Sequence, residues 1–131
     1  MNRPSLAVLI VIGLIGAACQ PSVDGVENLI LRGVAMAGPV CPVVTQPPDP
    51  ACDDRPVAGA EIVVRNEAGE SVARVTTAED GSFSVPVGAG RYELLAQAVD
   101  GLLGTPAPIE VVVVEGIDPE PVVVAYDTGI R

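Results

Sequence analysis

Short alternating segments separated by turn residues are the feature that most constrains the fold of this chain. After residue 27, apolar and polar residues alternate along most of the sequence, and breaks that contain glycine or proline recur at short intervals. This period of two is typical of half-buried β-strands, and no helical period accompanies it. The predicted strands span residues 28–35, 60–65, 71–77, 82–87, 91–98, 109–114 and 121–126. Seven strands in about 100 residues predict an all-β fold, a seven-stranded Greek-key β-sandwich.

The strongest turn signal in the chain is the Asp80-Gly81 pair, because these residue types supply the positive φ that tight hairpins demand. The strand that follows places Phe83 on the inward face together with Val85 and Val87. Pro86 cannot donate a hydrogen bond to a neighbouring strand, so we expect this strand to lie at a sheet edge or at a bulge.

The last two predicted strands, 109–114 and 121–126, contain runs of valine rather than a clean alternation. Such runs indicate burial on both faces of the sheet or contact with another surface.

The residues that are missing exclude several classes of function. The sequence has no His and no Trp, and its basic residues are all Arg. Without His and Lys, the chain cannot form a Ser-His-Asp triad, a histidine metal site or a lysine Schiff base. The 17 acidic residues outnumber the 7 basic ones, so nucleic acid is excluded as a partner. We therefore predict no cofactor and a protein that is not an enzyme.

The N-terminal residues 1–18 have the composition of a secretory signal peptide. Arg3 supplies the positive start, an aliphatic run follows, and the segment ends in small residues. The apolar stretch from Leu6 to Ala18 covers about 13 residues, fewer than the about 20 that a helix needs to span a bilayer. We therefore expect an exported protein from which this segment is removed.

The sequence Ala17-Ala18-Cys19 resembles the lipobox of bacterial lipoproteins, although Gly16 stands where leucine is commonest. The resemblance implies that Cys19 takes a lipid, that residues 19–27 form the lipidated cysteine and a tether, and that the membrane is contacted through this lipid. The location implied is the cell membrane or outer membrane, facing the periplasm or the exterior, and Gln20 favours the outer membrane. The alternative is an ordinary signal peptide, with Cys19 one of three plain thiols.

Lipidation of Cys19 would leave Cys41 and Cys52 as an even pair in an oxidising compartment, which predicts one disulfide between them. The enclosed loop, residues 41–52, is rich in proline and has no regular period, so it needs such a covalent link to hold its shape. A metal site is the alternative, but two thiols without histidine do not complete one.

The central part of the chain resembles the carboxypeptidase regulatory-like domain, a prealbumin-like (transthyretin-type) sandwich. The resemblance rests on residues 56–64 with Gly59, residues 77–85 with Asp80, Gly81 and Phe83, and residues 90–94 with Gly90 and Tyr92. It implies one domain over residues 28–131 in which these six residues shape turns or fill the core. Ala89 departs from the family, which usually has proline there. A binding role for Tyr92 is the alternative to a core role.

These observations predict a non-catalytic, lipid-anchored envelope protein whose sandwich is a structural or interaction module with a protein partner in the envelope. One alternative is a calcium or small-ligand binding protein that uses the disulfide loop and the acidic turns. Its candidate metal ligands are Asp53, Asp54, Glu79 and Asp80, since carboxylates are the ligands that calcium prefers. A hydrolase with paired carboxylates is the third possibility.

Overall fold

Two four-stranded sheets form the fold in a computed structural model that describes residues 28–131. The signal peptide, Cys19 and the tether lie outside the described residues. The strands are β1 (Leu29–Gly38), β2 (Arg55–Pro56), β3 (Glu61–Asn66), β4 (Ser71–Thr76), β5 (Ser82–Val87), β6 (Gly90–Ala96), β7 (Ile109–Val113) and β8 (Val122–Asp127). A single 3-10 turn, Pro50–Cys52, interrupts the loop between β1 and β2. The predicted all-β sandwich is confirmed.

The first sheet is built around β1, which has three neighbours. β2 and β5 pair with it antiparallel, whereas β8 pairs with it parallel over residues 33–38. Because the β8 contact overlaps both other registers, β2 and β5 must share one side of β1 and β8 must take the other. β5 thus lies at an edge, as Pro86 predicted.

The second sheet has the order β4-β3-β6-β7 and is antiparallel throughout. The chain passes between the two sheets after β2, β4, β5 and β7. β7 is therefore an edge strand of the second sheet, and β8, which follows it, is an edge strand of the first.

The core between the sheets is aliphatic, as the scarcity of aromatic residues requires. Its largest fully buried side chains alternate along four strands: Leu31, Ile62, Val64, Leu94 and Val124. Phe83, Val85 and Val87 are buried as predicted. Phe83 packs over Gly33, where an added Cβ would lie 2.6 Å from the Phe83 Cε1 and 2.7 Å from the Val122 carbonyl oxygen. Only glycine fits at this position.

Four details of the predicted strands are wrong. β1 continues to Gly38 because β8 pairs with its second half, and β6 ends at Ala96. The short β2 was not predicted. The valine runs are not buried on both faces, since alternate residues such as Val112 and Val123 are exposed.

Candidate functional site

The Cys41–Cys52 disulfide is present, with the two Cα atoms 5.2 Å apart, and confirms the predicted pairing. Within the loop, the Asp49 carboxylate accepts a hydrogen bond from the Ala51 N–H at 2.9 Å and caps the 3-10 turn. Val43 and Val44 are exposed, so the loop is held by the covalent link and by local hydrogen bonds rather than by burial.

The Thr77-to-Gly81 segment of the family motif builds a turn and a clamp. The buried Thr77 hydroxyl donates to the Val57 carbonyl oxygen at 2.6 Å and accepts from the Ala60 N–H at 2.9 Å. Thr77 is the one buried polar side chain among residues 28–131. Our sequence reasoning missed its role, although its place in the motif was the available signal.

Asp80 and Gly81 close the same turn. The Asp80 carboxylate accepts hydrogen bonds from the hydroxyl and the backbone N–H of Ser82, and these bonds lower the pKa of Asp80. Gly81 has φ 79°, and an added Cβ there would collide with the Ala35 carbonyl oxygen. These residues thus shape the hairpin instead of offering free ligands.

The two tyrosine hydroxyls each satisfy a backbone carbonyl. Tyr92, half-buried on β6, donates to the Gly88 oxygen at 2.8 Å, which ties down the turn before Gly90. Tyr126 on β8 is buried and donates to the Gln97 oxygen at 2.7 Å. Burial raises the pKa of Tyr126. Gly59 and Gly90 both have positive φ, 72° and 153°.

The candidate calcium ligands do not form a cluster. Within residues 28–131, no group of three or more His, Cys, Asp or Glu side chains is close enough to hold a metal ion. Asp53 and Asp54 are exposed residues beside the disulfide loop, and Glu79 is exposed next to Asp80.

Residues 28–131 contain no helix that is long and apolar enough to cross a membrane.

The outer face of the second sheet carries two cross-strand ion pairs around Val63. Arg65 contacts Glu93 at 2.8 Å and Arg74 contacts Glu61 at 2.7 Å, while Val63 between them is only 6% exposed. Half-exposed pairs of this kind contribute about 0–1 kcal/mol each. Their main effect here is to cover an apolar side chain on the solvent face.

A shallow concavity of about 470 Å³ lies at one end of this face, where Glu93 and Glu110 are cross-strand partners. A paired-carboxylate mechanism needs one carboxyl that is kept protonated by an apolar, buried environment. Glu93 accepts from Arg65 instead, and Glu110 is exposed. The geometry does not supply that environment.

The side of the sandwich formed by β7 and β8 is apolar with an acidic border. Residues 109–112, 114 and 117–123 line a second concavity of about 570 Å³. Its large exposed hydrophobic side chains are all aliphatic: Val112, Val114, Ile117 and Val123. Four acids flank them, Glu110, Glu115, Asp118 and Glu120. The structure thus brings exposed aliphatic side chains of β7, of β8 and of the loop between them together on one side of the sandwich.

The hairpin clamp and the inward-facing strands occur together in a known family. The profile of the carboxypeptidase regulatory-like domain matches residues 49–122, more than half of the chain. The chain belongs to the carboxypeptidase regulatory-like domain family. This family is non-catalytic. The match begins in the disulfide loop and ends at the first residue of β8, so β1 and nearly all of β8 lie outside it.

Two solved structures share the fold of this carboxypeptidase regulatory-like domain. The Bacillus anthracis TIE protein is 18% identical to this chain, with a TM-score of 0.55. The match includes 76% of this chain but only 17% of the TIE protein chain. A candidate carbohydrate-binding protein from Pseudomonas aeruginosa is 13% identical with a TM-score of 0.51, covering 76% of this chain and 89% of its own. Identities this low establish the fold alone. No curated protein matches the sequence.

Proposed function

We propose that the protein is a lipid-anchored component of the cell envelope whose regulatory-like domain is a non-catalytic interaction module. The Cys41–Cys52 disulfide carries this proposal. Disulfides persist in exported proteins, so the bond supports the prediction that residues 1–18 are a signal peptide. Because these two cysteines pair with each other, Cys19 is the odd cysteine of the sequence, directly after the apolar run.

The tether sets how far the domain stands from the membrane. The domain begins at Asn28, so residues 20–27 join the lipidated cysteine to the sandwich. A chain spans at most about 3.5 Å per residue, which limits this link to roughly 30 Å. The domain would therefore act close to the membrane surface, within reach of other envelope proteins.

The chemistry of the chain supports a binding role without catalysis. The family is non-catalytic, and the sequence contains neither His nor Lys as a general base or nucleophile. The carbohydrate binding named for the Pseudomonas aeruginosa protein does not suit this chain, because sugars stack on exposed aromatic rings. Here Phe83 and Tyr126 are buried, and Tyr92 is half-buried with its hydroxyl engaged by Gly88.

The anchor is tested by replacing Cys19 with alanine and comparing the variant with Ser22→Ala, a small change three residues away. We expect the wild type and Ser22→Ala to fractionate with membranes and to show an acylated mass. Cys19→Ala should lose both properties. Retention of Cys19→Ala in the membrane fraction, with the same added acyl mass as the wild type, would contradict lipidation at Cys19.

The interaction role is tested by cross-linking the intact lipidated protein in its native envelope. We expect a defined set of envelope proteins to be captured, and the same set to disappear when Cys19→Ala prevents surface anchoring. Capture of no protein by the anchored wild type would overturn the interaction role, whatever the outcome of the lipidation experiment.

A further inference from the structure

β7 is an open sheet edge that lacks the usual protection against pairing with another chain. It pairs only with β6, and no other strand among residues 28–131 lies along its outer side. Natural edge strands are protected by proline, bulges or charges. β5 contains Pro86, and the pairing of β4 with β3 is broken by a bulge between Val64 and Arg65. β7 has no proline, no bulge and only one charge, Glu110.

A strand added to this edge would extend both faces of the sheet, and each face favours a different kind of side chain. On the inner face, Ile109 and Val111 of β7 and Val122 of β8 are only partly buried, so they form an incompletely covered rim of the core. On the outer face, Val112 is 58% exposed and Val114 is 50% exposed. Side chains alternate between the faces of a strand, so an added strand would place every second residue against the apolar rim.

The acidic side chains around the edge determine which residues are favoured at the other, outward-facing positions of the added strand. Between Arg91 and Arg131 the sequence contains acidic residues and no basic residue. Three of these acids line the apolar concavity, Glu110, Asp118 and Glu120, and a fourth, Glu115, follows Val114 in the sequence. None of the four forms a salt bridge within the part of the chain that the structure describes. A second copy, with the same acids and a net charge of −10, would be repelled. A basic segment would be attracted.

We propose that the outer edge of β7 binds an extended segment of a partner protein, added as a fifth strand of the second sheet, in which aliphatic residues alternate with Lys or Arg. The aliphatic residues cover Ile109, Val111 and Val122, and the cations lie beside Glu110 and its acidic neighbours. Backbone hydrogen bonds to β7 contribute affinity, and the alternation contributes specificity. This inference rests on the proposed interaction role and names its site and its class of partner.

The first test uses peptides of about ten residues added to the intact protein. One alternates valine with lysine, a second alternates valine with glutamate, and a third is the lysine peptide with a central proline. We expect the lysine peptide to bind and to slow hydrogen exchange at the β7 amides, with the other two weaker by about tenfold or more. No binding of the lysine peptide, equal binding of the glutamate peptide, or protection elsewhere than β7 would overturn the inference.

The second test uses Val112→Lys, with Val72→Lys as its matched control. Val72 is an exposed valine, 48% accessible, on β4, the opposite edge of the same sheet. We expect Val112→Lys to weaken the lysine peptide by about tenfold and Val72→Lys to leave it unchanged, with both variants melting like the wild type. Equal effects of the two variants would overturn the inference, as would dimerisation through β7 in sedimentation experiments, since the occupant would then be a second copy.

The same variants separate this inference from the proposed function. If Val112→Lys still captures the same envelope partners as the wild type, the β7 site is wrong while the interaction role stands. If the wild type binds the lysine peptide at β7 but captures no envelope protein, the interaction role is wrong while the edge is a competent strand acceptor.

Discussion

Thr77 and Val57 are joined by a buried hydrogen bond of 2.6 Å, donated by the threonine hydroxyl to the backbone carbonyl oxygen. The same hydroxyl accepts from the Ala60 N–H, so one side chain satisfies two backbone groups of the loop that leads into β3. This contact links the end of β4 to the loop after β2, and it explains why a threonine stands in an otherwise hydrophobic interior.

Replacing Thr77 with valine keeps the shape of the side chain but leaves the Val57 oxygen and the Ala60 N–H without their partner. Loss of a partner from buried polar groups costs about 1–3 kcal/mol each, so we expect the free energy of unfolding to fall by about 2–6 kcal/mol. Urea denaturation measures the change. Thr77→Ser should recover most of it, and the exposed neighbour variant Thr76→Val should cost little. An unaltered midpoint for Thr77→Val would refute the clamp.

Gly33→Ala places a methyl group against the Phe83 ring and the Val122 backbone. Overpacking of a filled core costs about 1–3 kcal/mol, and we expect Gly33→Ala to lie in that range by thermal or urea unfolding. Because the clash is partly with Phe83, the double variant with Phe83→Leu should lose less stability than the sum of the two single variants. Strict additivity would show that the two residues do not compete for the same space.

The Cys41–Cys52 disulfide closes a loop with a sequence separation of 11 residues. The chain-entropy estimate for a loop of this length is about 3 kcal/mol, so reduction or the double Cys41→Ser, Cys52→Ser variant should lower the melting temperature. The wild type should respond to reductant and the double variant should not. Limited proteolysis should then cut first within residues 41–52, since Val43 and Val44 have no burial to protect them.

Tyr126 makes the free energy of unfolding depend on pH in the alkaline range. Burial raises its pKa in the folded state above the ordinary value of 10.0, so the unfolded chain loses this proton first. The contribution of Tyr126 is therefore complete below about pH 10 and is lost as the pH rises through the folded-state pKa. Tyr126→Phe should remove this part of the alkaline decline, and at neutral pH it should cost about 1 kcal/mol for the lost bond to Gln97. Urea midpoints between neutral and alkaline pH provide the measurement.

The parts of the fold that depend on local pattern could be predicted from the sequence. Strict alternation placed Phe83 in the core, and Pro86 restricted β5 to an edge or a bulge. The number of cysteines, with Cys19 assigned to a lipid, paired Cys41 with Cys52. The parallel contact between β1 and β8 could not be predicted, because pairing between strands about 90 residues apart leaves no mark on either strand alone. The valine runs left two alternatives open for a related reason: their composition does not show that β7 and β8 are edges with one face exposed, which excludes burial on both faces and leaves contact with another surface as a prediction.

The candidate interaction site needed the three-dimensional arrangement for the same reason. Val112 and Val123 look like core residues in the sequence, and only the strand order shows that they border a shared opening. The role of Thr77 was not predicted because its two backbone partners, Val57 and Ala60, are known only from the fold, although its position in the family motif marked it.

The parallel pairing of β1 with β8 also sets how the domain responds to tension along its length. Leu29 begins β1 at one end of the sandwich, and β8 runs in the same direction to finish at Asp127 beside Gly38, at the other end. A pull exerted between Leu29 and Asp127 would shear the two strands past each other, loading all their backbone hydrogen bonds together. Separating the two strands in this direction therefore requires their hydrogen bonds to break together rather than one after another.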